Sequence, residues 1–141
     1  MSSSSRAPQH VLGLDFVDRD HAALELLFEA ASRSAGEELK RLAASIVEET
    51  EAHFAREEEF MRGADFPGLH CHAAQHRMLL LELRRRTSGD DEARRRLGVT
   101  IPQLVLSHVL TMDRMMAEFA RGELSAADFD VLRLPVPETA S

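Results

Sequence analysis

Two pairs of polar side chains, close together in the sequence, constrain the fold of this chain most strongly. They lie within residues 51–76, EAHFAREEEFMRGADFPGLHCHAAQH, where His53 and Glu57 are four residues apart, and His72 and His76 are again four apart. On an α-helix, a spacing of four places two side chains on one face, about 6 Å apart along the axis. The segment therefore predicts two helices, each presenting a pair of ligand-type side chains in one direction.

Both pairs lie on predicted buried stripes. The apolar residues around them recur at intervals of three and four, which is the pattern of an amphipathic helix packed on a core. In the first helix the stripe comprises Leu39, Leu42, Ile46, Thr50, His53, Glu57 and Phe60 or Met61, and in the second Leu69, His72, His76, Leu79 and Leu83. The sequence thus predicts that a carboxylate and three imidazoles face the interior.

An ionised carboxylate in a protein core needs a compensating partner, because burying it alone costs several kcal/mol or more. Metal ions are the simplest partner for a group of carboxylate and imidazole side chains. A structural network of His and Glu hydrogen bonds is the alternative. Two such pairs facing each other across a tight turn favour metal.

The rest of the chain predicts an all-α fold. Glycine and proline are sparse at 7 and 5 residues, and tryptophan and tyrosine are absent. Amphipathic helices are expected at about residues 18–34, 37–62, 67–88 and 101–121, which predicts an up-down antiparallel four-helix bundle. Residues 90–97 also look helical, and the break at 98–102 is compatible with one kinked helix or two shorter ones.

The chain is expected to form one domain with two extensions. Residues 1–9 are Ser-rich and predicted to be flexible, residues 10–121 form the bundle, and residues 122–141 form a tail with one short turn starting at Ser125. Within the domain, residues 10–17 are predicted to be an extended lead-in. Asp18 or Asp20 is the expected cap of the first helix, and Gly36 its expected end.

Charge and cysteine content exclude several classes of protein. The net charge of −7 argues against general nucleic-acid binding, which needs a basic surface. The one cysteine, Cys71, excludes an intrachain disulfide and suits a reducing compartment. No apolar run approaches the length of a membrane span, and no secretory signal is evident, so a cytoplasmic location without membrane association is expected.

Every predicted helix places at least one histidine on its inward stripe. Imidazole and carboxylate together suit iron, zinc, manganese or copper, and two carboxylates with several imidazoles suit a dinuclear centre. The inward histidines are His21, His53, His72, His76 and His108, with Glu57 beside them and Asp113 after His108.

The order of these elements resembles the hemerythrins, most closely the bacterial single-domain hemerythrins. The resemblance spans about residues 10–121 and comprises His21, HFAREE from His53, HCHAAQH ending at His76, and HVLTMD from His108. It implies a non-haem diiron centre with an oxo or hydroxo bridge that binds dioxygen reversibly, in a carrier, store or supplier of oxygen rather than an enzyme.

The resemblance also implies a role for each ligand. His72, His76 and His108 would hold one iron, and His21 and His53 the other, which keeps one position for dioxygen. Glu57 and Asp113 would bridge the two ions. Candidates for an apolar ligand pocket, or simply for core, are Leu24, Ile46, Val105 and Val109.

Asp113 is assigned by the resemblance alone. It follows His108 by five residues, which on a regular α-helix rotates it about 140° from the histidine face. A locally widened turn, or a position at the seam toward a neighbouring helix, would bring it to the centre. His10 and His70 lie off the pattern and are expected to be exposed or structural.

Other functions fit the same residues. A diiron centre of this kind could serve a sensor of oxygen or redox state, or a redox enzyme acting on peroxide, nitric oxide or ferrous iron. A structural bundle holding zinc, or no metal, is the remaining alternative. Metal content and reversibility with oxygen distinguish these possibilities.

Overall fold

The protein is an all-α bundle. A computed structural model describes residues 11–96 and 108–129, and this part of the chain contains no strand and no helix long and apolar enough to cross a membrane. The long helices are α1 (Asp15–Ser32), α2 (Gly36–Gly63) and α3 (Leu69–Thr87). The shorter elements are α4 (Asp91–Arg95), a π-helical turn (Val109–Asp113), α5 (Arg114–Ala120) and a 3-10 helix (Ala126–Phe129). The predicted fold class is confirmed.

The core consists of two apolar clusters. The upper cluster comprises Leu24, Phe28, Ala31, Leu39, Ala43, Ile46 and Leu83. The lower cluster comprises Leu12, Val17, Met61, Phe66, Val109, Met116, Ala117 and Phe129. Burying such side chains removes apolar surface from water and supplies most of the folding free energy.

The helices pass between the two clusters in alternating directions. Helix α1 runs from Val17 in the lower cluster to Leu24 in the upper, and α2 returns from Ile46 in the upper cluster to Met61 in the lower. Helix α3 then rises to Leu83 in the upper cluster, and residues 109–120 lead into the lower one. On α1, α2 and α3, inward-facing histidines lie between residues that belong to or pack on the two clusters.

Helix α1 begins earlier than predicted, and its expected cap was wrong. The helix starts at Asp15, so residues 15–17 are helical and do not belong to an extended lead-in. Asp18 instead accepts backbone hydrogen bonds from Leu12 (2.8 Å) and Gly13 (3.1 Å), in the turn that precedes the helix. Gly13 has a φ of 88°, which side-chain-bearing residues rarely adopt. Asp20 lies inside the helix.

Two predicted boundaries shift by a few residues. Gly36 is the first residue of α2, since α1 already ends at Ser32. Helix α3 begins at Leu69 rather than at Pro67, after Gly68. A Cβ atom on Gly68 would lie 2.8 Å from the ring of Phe66, so the chain needs glycine where this ring packs beneath the turn.

The start of the predicted tail packs on the bundle. Asp128 accepts hydrogen bonds from the backbone N–H (2.7 Å) and hydroxyl (3.2 Å) of Ser125, which confirms the predicted short turn. Phe129 is buried, with its ring centroid 5.1 Å from Phe66 and 6.0 Å from Phe119. The predictions for residues 1–10, for the break at 98–102 and for the end of the tail fall outside the described residues.

Candidate metal centre

A buried polar layer separates the two apolar clusters. The structure brings together all seven residues predicted as metal ligands, and they form two overlapping groups. Within each group, the ligand nitrogen and oxygen atoms lie within 4.8 Å of one another. Six of the seven are buried, and the His21 side chain is 12% exposed. The residues are His21, His53, Glu57, His72, His76, His108 and Asp113.

Helices α2 and α3 position their pairs as the spacing of four predicts. His53 and Glu57 occupy successive turns on the inner face of α2, with His53 Nε2 2.9 Å from Glu57 Oε2. His72 and His76 do the same on α3, with ring centroids 4.6 Å apart. The apolar residues above and below each pair hold these faces inward.

A π-helical turn brings Asp113 beside His108. The turn spans Val109–Asp113, and its i→i+5 bonds accommodate one residue more than an α-helical turn. Asp113 Oδ1 consequently lies 3.0 Å from His108 Nε2. Of the two alternatives derived from the sequence, the widened turn is confirmed.

Three histidines form one half of the centre. Glu57 Oε1 lies 3.0 Å from His76 Nε2 and 3.4 Å from His72 Nε2. Asp113 Oδ1 lies 2.8 Å from His72 Nε2 and 3.0 Å from His108 Nε2. We call these three imidazoles the three-histidine set.

The other half contains His21 and His53, the two-histidine set. Glu57 Oε2 lies 2.9 Å from His53 Nε2 and 3.9 Å from His21 Nε2. Asp113 Oδ2 lies 3.2 Å from His21 Nε2. Each carboxylate therefore directs one oxygen atom toward each set of histidines.

Many of these close atoms lack hydrogen-bond partners. The unpartnered buried atoms include Nε2 of His53 and of His76, both oxygens of Glu57, and Oδ2 of Asp113. A buried polar atom without a partner costs about 1–3 kcal/mol, and more if it is charged. Nitrogen and oxygen atoms that converge in this way fit a cation, and donors of this kind suit a transition metal.

Three residues outside the predicted ligand set accept hydrogen bonds from Nδ1 atoms of the imidazole rings, on the side of each ring away from the centre. His53 Nδ1 donates to Asp20 Oδ2 (2.9 Å), and His76 Nδ1 donates to Glu58 Oε2 (2.8 Å). His108 Nδ1 donates to Oε1 of Gln75. Such contacts hold the proton of each neutral ring on Nδ1, so that Nε2 can present a lone pair to a metal ion.

The sequence contained a signal for these three residues. Asp20 precedes His21, Glu58 follows Glu57 and Gln75 precedes His76, so each is next to an inward side chain. One step along a helix rotates the side chain by about 100°, toward the adjacent helix rather than toward the core. A residue next in sequence to a predicted ligand on one helix thus orients a ligand histidine on the following helix.

Asp20 also has a cationic partner. Arg56 Nε donates to the same Oδ2 atom that accepts from His53, at 2.9 Å. Partial burial would raise the pKa of Asp20, but Arg56 and His53 lower it. These two contacts therefore favour the ionised form of Asp20.

The centre is strongly polarised when no ion is bound. Burial alone would lower the pKa of His53 and His72, but the carboxylates beside them raise each pKa to about 9. Burial and the charge of Asp113 would raise the pKa of Glu57, but its three histidine neighbours lower it. Burial likewise opposes ionisation of Asp113, yet its histidine contacts hold its pKa well below the ordinary value. An incoming cation must therefore displace protons.

An aromatic ring supports the three-histidine set. Phe54 is stacked on His76, with ring centroids 3.7 Å apart and planes 5° from parallel. Its centroid is 6.0 Å from that of His108. This contact limits rotation of the His76 ring about its Cβ–Cγ bond.

The remaining predicted residues lie around the centre or away from it. Leu24 and Ile46 belong to the upper cluster and Val109 to the lower one, while Val105 is outside the described residues. His70 is exposed, as is Cys71. The prediction that His70 takes no part in the centre agrees with its position.

Comparison with known proteins identifies relatives of this chain. Residues 12–120 match the model of the hemerythrin HHE cation binding domain family. The chain is 38% identical over 109 residues to a protein of Ralstonia nicotianae (strain ATCC BAA-1114 / GMI1000) named bacteriohemerythrin, and the match covers 74% of this chain and 80% of that protein. No solved structure gives a significant match.

Proposed function

Because this chain belongs to the hemerythrin family, we propose that its buried centre holds two iron ions and binds dioxygen reversibly, as an oxygen carrier, store or supplier. The observation that carries the proposal is the placement of Glu57 and Asp113. Each directs one oxygen toward the three-histidine set and one toward the two-histidine set. Two carboxylates shared in this way are suited to bridge a pair of ions.

The donor set favours iron over structural zinc. The three-histidine set with one oxygen from each carboxylate offers five protein donors to a single ion. Structural zinc is almost always four-coordinate and tetrahedral, whereas mixed imidazole and carboxylate donors in larger number suit iron. The name of the relative from Ralstonia nicotianae supports the same choice.

The two halves of the centre differ in a way that suits ligand binding. The two-histidine set with one oxygen from each carboxylate offers four protein donors rather than five, so an ion held there would have room for an external ligand. When bound, a pair of ferrous ions supplies the electrons that dioxygen takes up and returns. The protein holds the imidazoles by their Nδ1 atoms, and the apolar clusters above and below restrict access of water.

Metal analysis followed by an optical titration tests this function. Protein loaded with ferrous iron without oxygen is expected to contain about two irons per chain. Exposure to air should then produce a charge-transfer band that disappears when oxygen is removed. Irreversible oxidation would instead support a sensor or a redox enzyme, and protein that takes up zinc but no iron would support a structural site.

A further inference from the structure

Thr50 carries a buried hydroxyl without a partner. Among the described residues, eight buried side-chain nitrogen and oxygen atoms lack a hydrogen-bond partner, and Thr50 Oγ1 is the one that does not belong to the seven-residue centre. Thr50 is only 5% exposed. A helical threonine usually satisfies its hydroxyl by bonding to the carbonyl four residues earlier, but this bond is absent here. The hydroxyl is thus available to a molecule other than the protein.

The position of Thr50 places it beside the two-histidine set. It lies three residues before His53 on the buried face of α2. Side chains on a helix lean toward its N-terminus, so the His53 ring lies over the turn that carries Thr50. Residues three or four apart on a helix face are about 5–6 Å apart at Cβ. The hydroxyl is therefore within one helical turn of a His53 atom that faces the centre.

On α1 and α3, the described residues that lie level with Thr50 are apolar. Leu24 lies one turn above His21, and Leu80 one turn above His76, and both belong to or pack on the upper cluster. Since the helices are antiparallel, these positions are level with Thr50. A hydroxyl with apolar neighbours can donate one directed hydrogen bond to a small guest while the surrounding side chains exclude bulk water.

We propose that the Thr50 hydroxyl donates a hydrogen bond to the small ligand held at the two-histidine set, either dioxygen or a small anion. This assignment rests on the proposed function and specifies it, since it makes Thr50 a ligand-stabilising residue of the same centre. Formation of the bond satisfies the buried donor only when the ligand is present. In the ligand-free protein, the unpartnered buried hydroxyl is therefore destabilising.

Thr50→Val is the decisive variant because it replaces the hydroxyl with a methyl group of similar size. Azide, a small anion that accepts hydrogen bonds, serves as the probe with the oxidised, iron-loaded protein. We expect azide affinity to fall about tenfold, as the loss of one hydrogen bond to a charged acceptor predicts. Thr50→Ser keeps the hydroxyl and should bind azide within about threefold of the original affinity.

An infrared measurement separates a direct contact from a structural effect. With the original residue or serine at position 50, the azide stretching band should shift when H2O is replaced by D2O. With valine the isotope shift should be lost. Unchanged azide affinity together with an unchanged isotope shift in Thr50→Val would overturn the assignment.

Stability of the metal-free protein gives a second, independent outcome. Removing an unpartnered buried hydroxyl should raise the melting temperature of metal-free Thr50→Val. A clear decrease would show that the hydroxyl bonds to the protein itself and would contradict the assignment. If the valine variant does not take up iron, Thr50→Ala replaces it in the azide measurement with the same expected result.

Failure of this assignment and failure of the proposed function give different results. Reversible oxygen binding by the original protein, combined with an azide affinity and an isotope shift that are unchanged in Thr50→Val, would reject the role of Thr50 alone. Irreversible oxidation of the original protein, combined with a Thr50-dependent azide affinity, would reject reversible oxygen carriage alone.

Discussion

Glu57 is the residue on which both halves of the centre depend. Its Oε1 atom faces the three-histidine set, and its Oε2 atom faces His53 and His21. It is fully buried, and neither oxygen has a hydrogen-bond partner. A carboxylate in this position is strongly unfavourable without nearby positive charge, which the protein supplies with protonated histidines until an ion replaces the protons.

His53→Ala tests the two-histidine set. The variant leaves this set with one imidazole, so we expect the oxygenated spectrum to be lost and iron content to fall below two per chain. His70→Ala is the matched control, because His70 is an exposed histidine outside the cluster. Iron analysis and optical spectra of both variants decide the outcome. Retention of both irons and of the oxygenated spectrum in His53→Ala would show that His53 is not a ligand.

A second residue-level test concerns the outer contact of His76. Glu58→Ala removes the carboxylate that accepts from His76 Nδ1, and loss of such a contact typically weakens metal binding about 10–100-fold. Glu59→Ala is the control, since Glu59 is exposed and pairs with Arg62 instead. Competition with a metal-binding dye measures both affinities. Equal affinities for the two variants would mean that the contact does not orient His76.

Among the secondary-structure elements, the π-helical turn is the one that the sequence predicted least well. A spacing of five is compatible with a wide turn or with a side chain pointing elsewhere, and local preference does not distinguish them. The wide turn forms because it lets Asp113 reach His21 and His72 while Val109 and Met116 remain in the lower cluster. Contacts with other helices, rather than local propensity, select it.

Deletion variants test this interpretation of the turn. Deleting the exposed Thr111 leaves His108 and the aspartate four residues apart, so a regular α-helical turn would keep both on one face. We expect this variant to retain about two irons per chain. Deleting the exposed Ala55 from α2 should abolish iron uptake, because it rotates Glu57 about 100° away from His53. Iron analysis compares the metal content of the two deletion variants. Loss of iron in both would show that the wide turn itself is required.

Helix periodicity was sufficient to predict most of the fold. The bundle, the two ligand pairs and the inward histidines follow from intervals of three and four, which reflect the geometry of the helix itself. The start of α1 was wrong because Asp18 serves the preceding turn, a contact that the local sequence does not distinguish from a cap. Asp20, Glu58 and Gln75 were missed because their partners lie on neighbouring helices.

For the whole molecule, proton binding and metal binding are opposed. His53 and His72 have pKa values of about 9 when no ion is bound, so both are protonated at pH 7.5. Loading with ferrous iron without oxygen should therefore release about two protons per chain at this pH, since a ligating imidazole must be neutral. Calorimetry in two buffers of different ionisation enthalpy measures the number. Release of no protons would show that these histidines are already neutral.

The same values predict how the stability of the metal-free protein varies with pH. A histidine whose pKa is raised from 6.5 to about 9 on folding stabilises the protein fully below pH 6.5 and loses this contribution as pH rises through 9. Thermal unfolding with a chelator present should thus show a falling melting temperature between these limits. The iron-loaded protein should not follow this decrease. A metal-free melting temperature that rises over this range would contradict the assigned pKa values.

The placement of the polar layer between two apolar clusters has a consequence for the lifetime of the protein. Helices α1, α2 and α3 and residues 108–113 all contribute side chains to this layer, so loss of its contacts would loosen several helices together rather than fray one terminus. Loss of a bound metal ion is therefore expected to make several helices, rather than one end of the bundle, more susceptible to proteolysis.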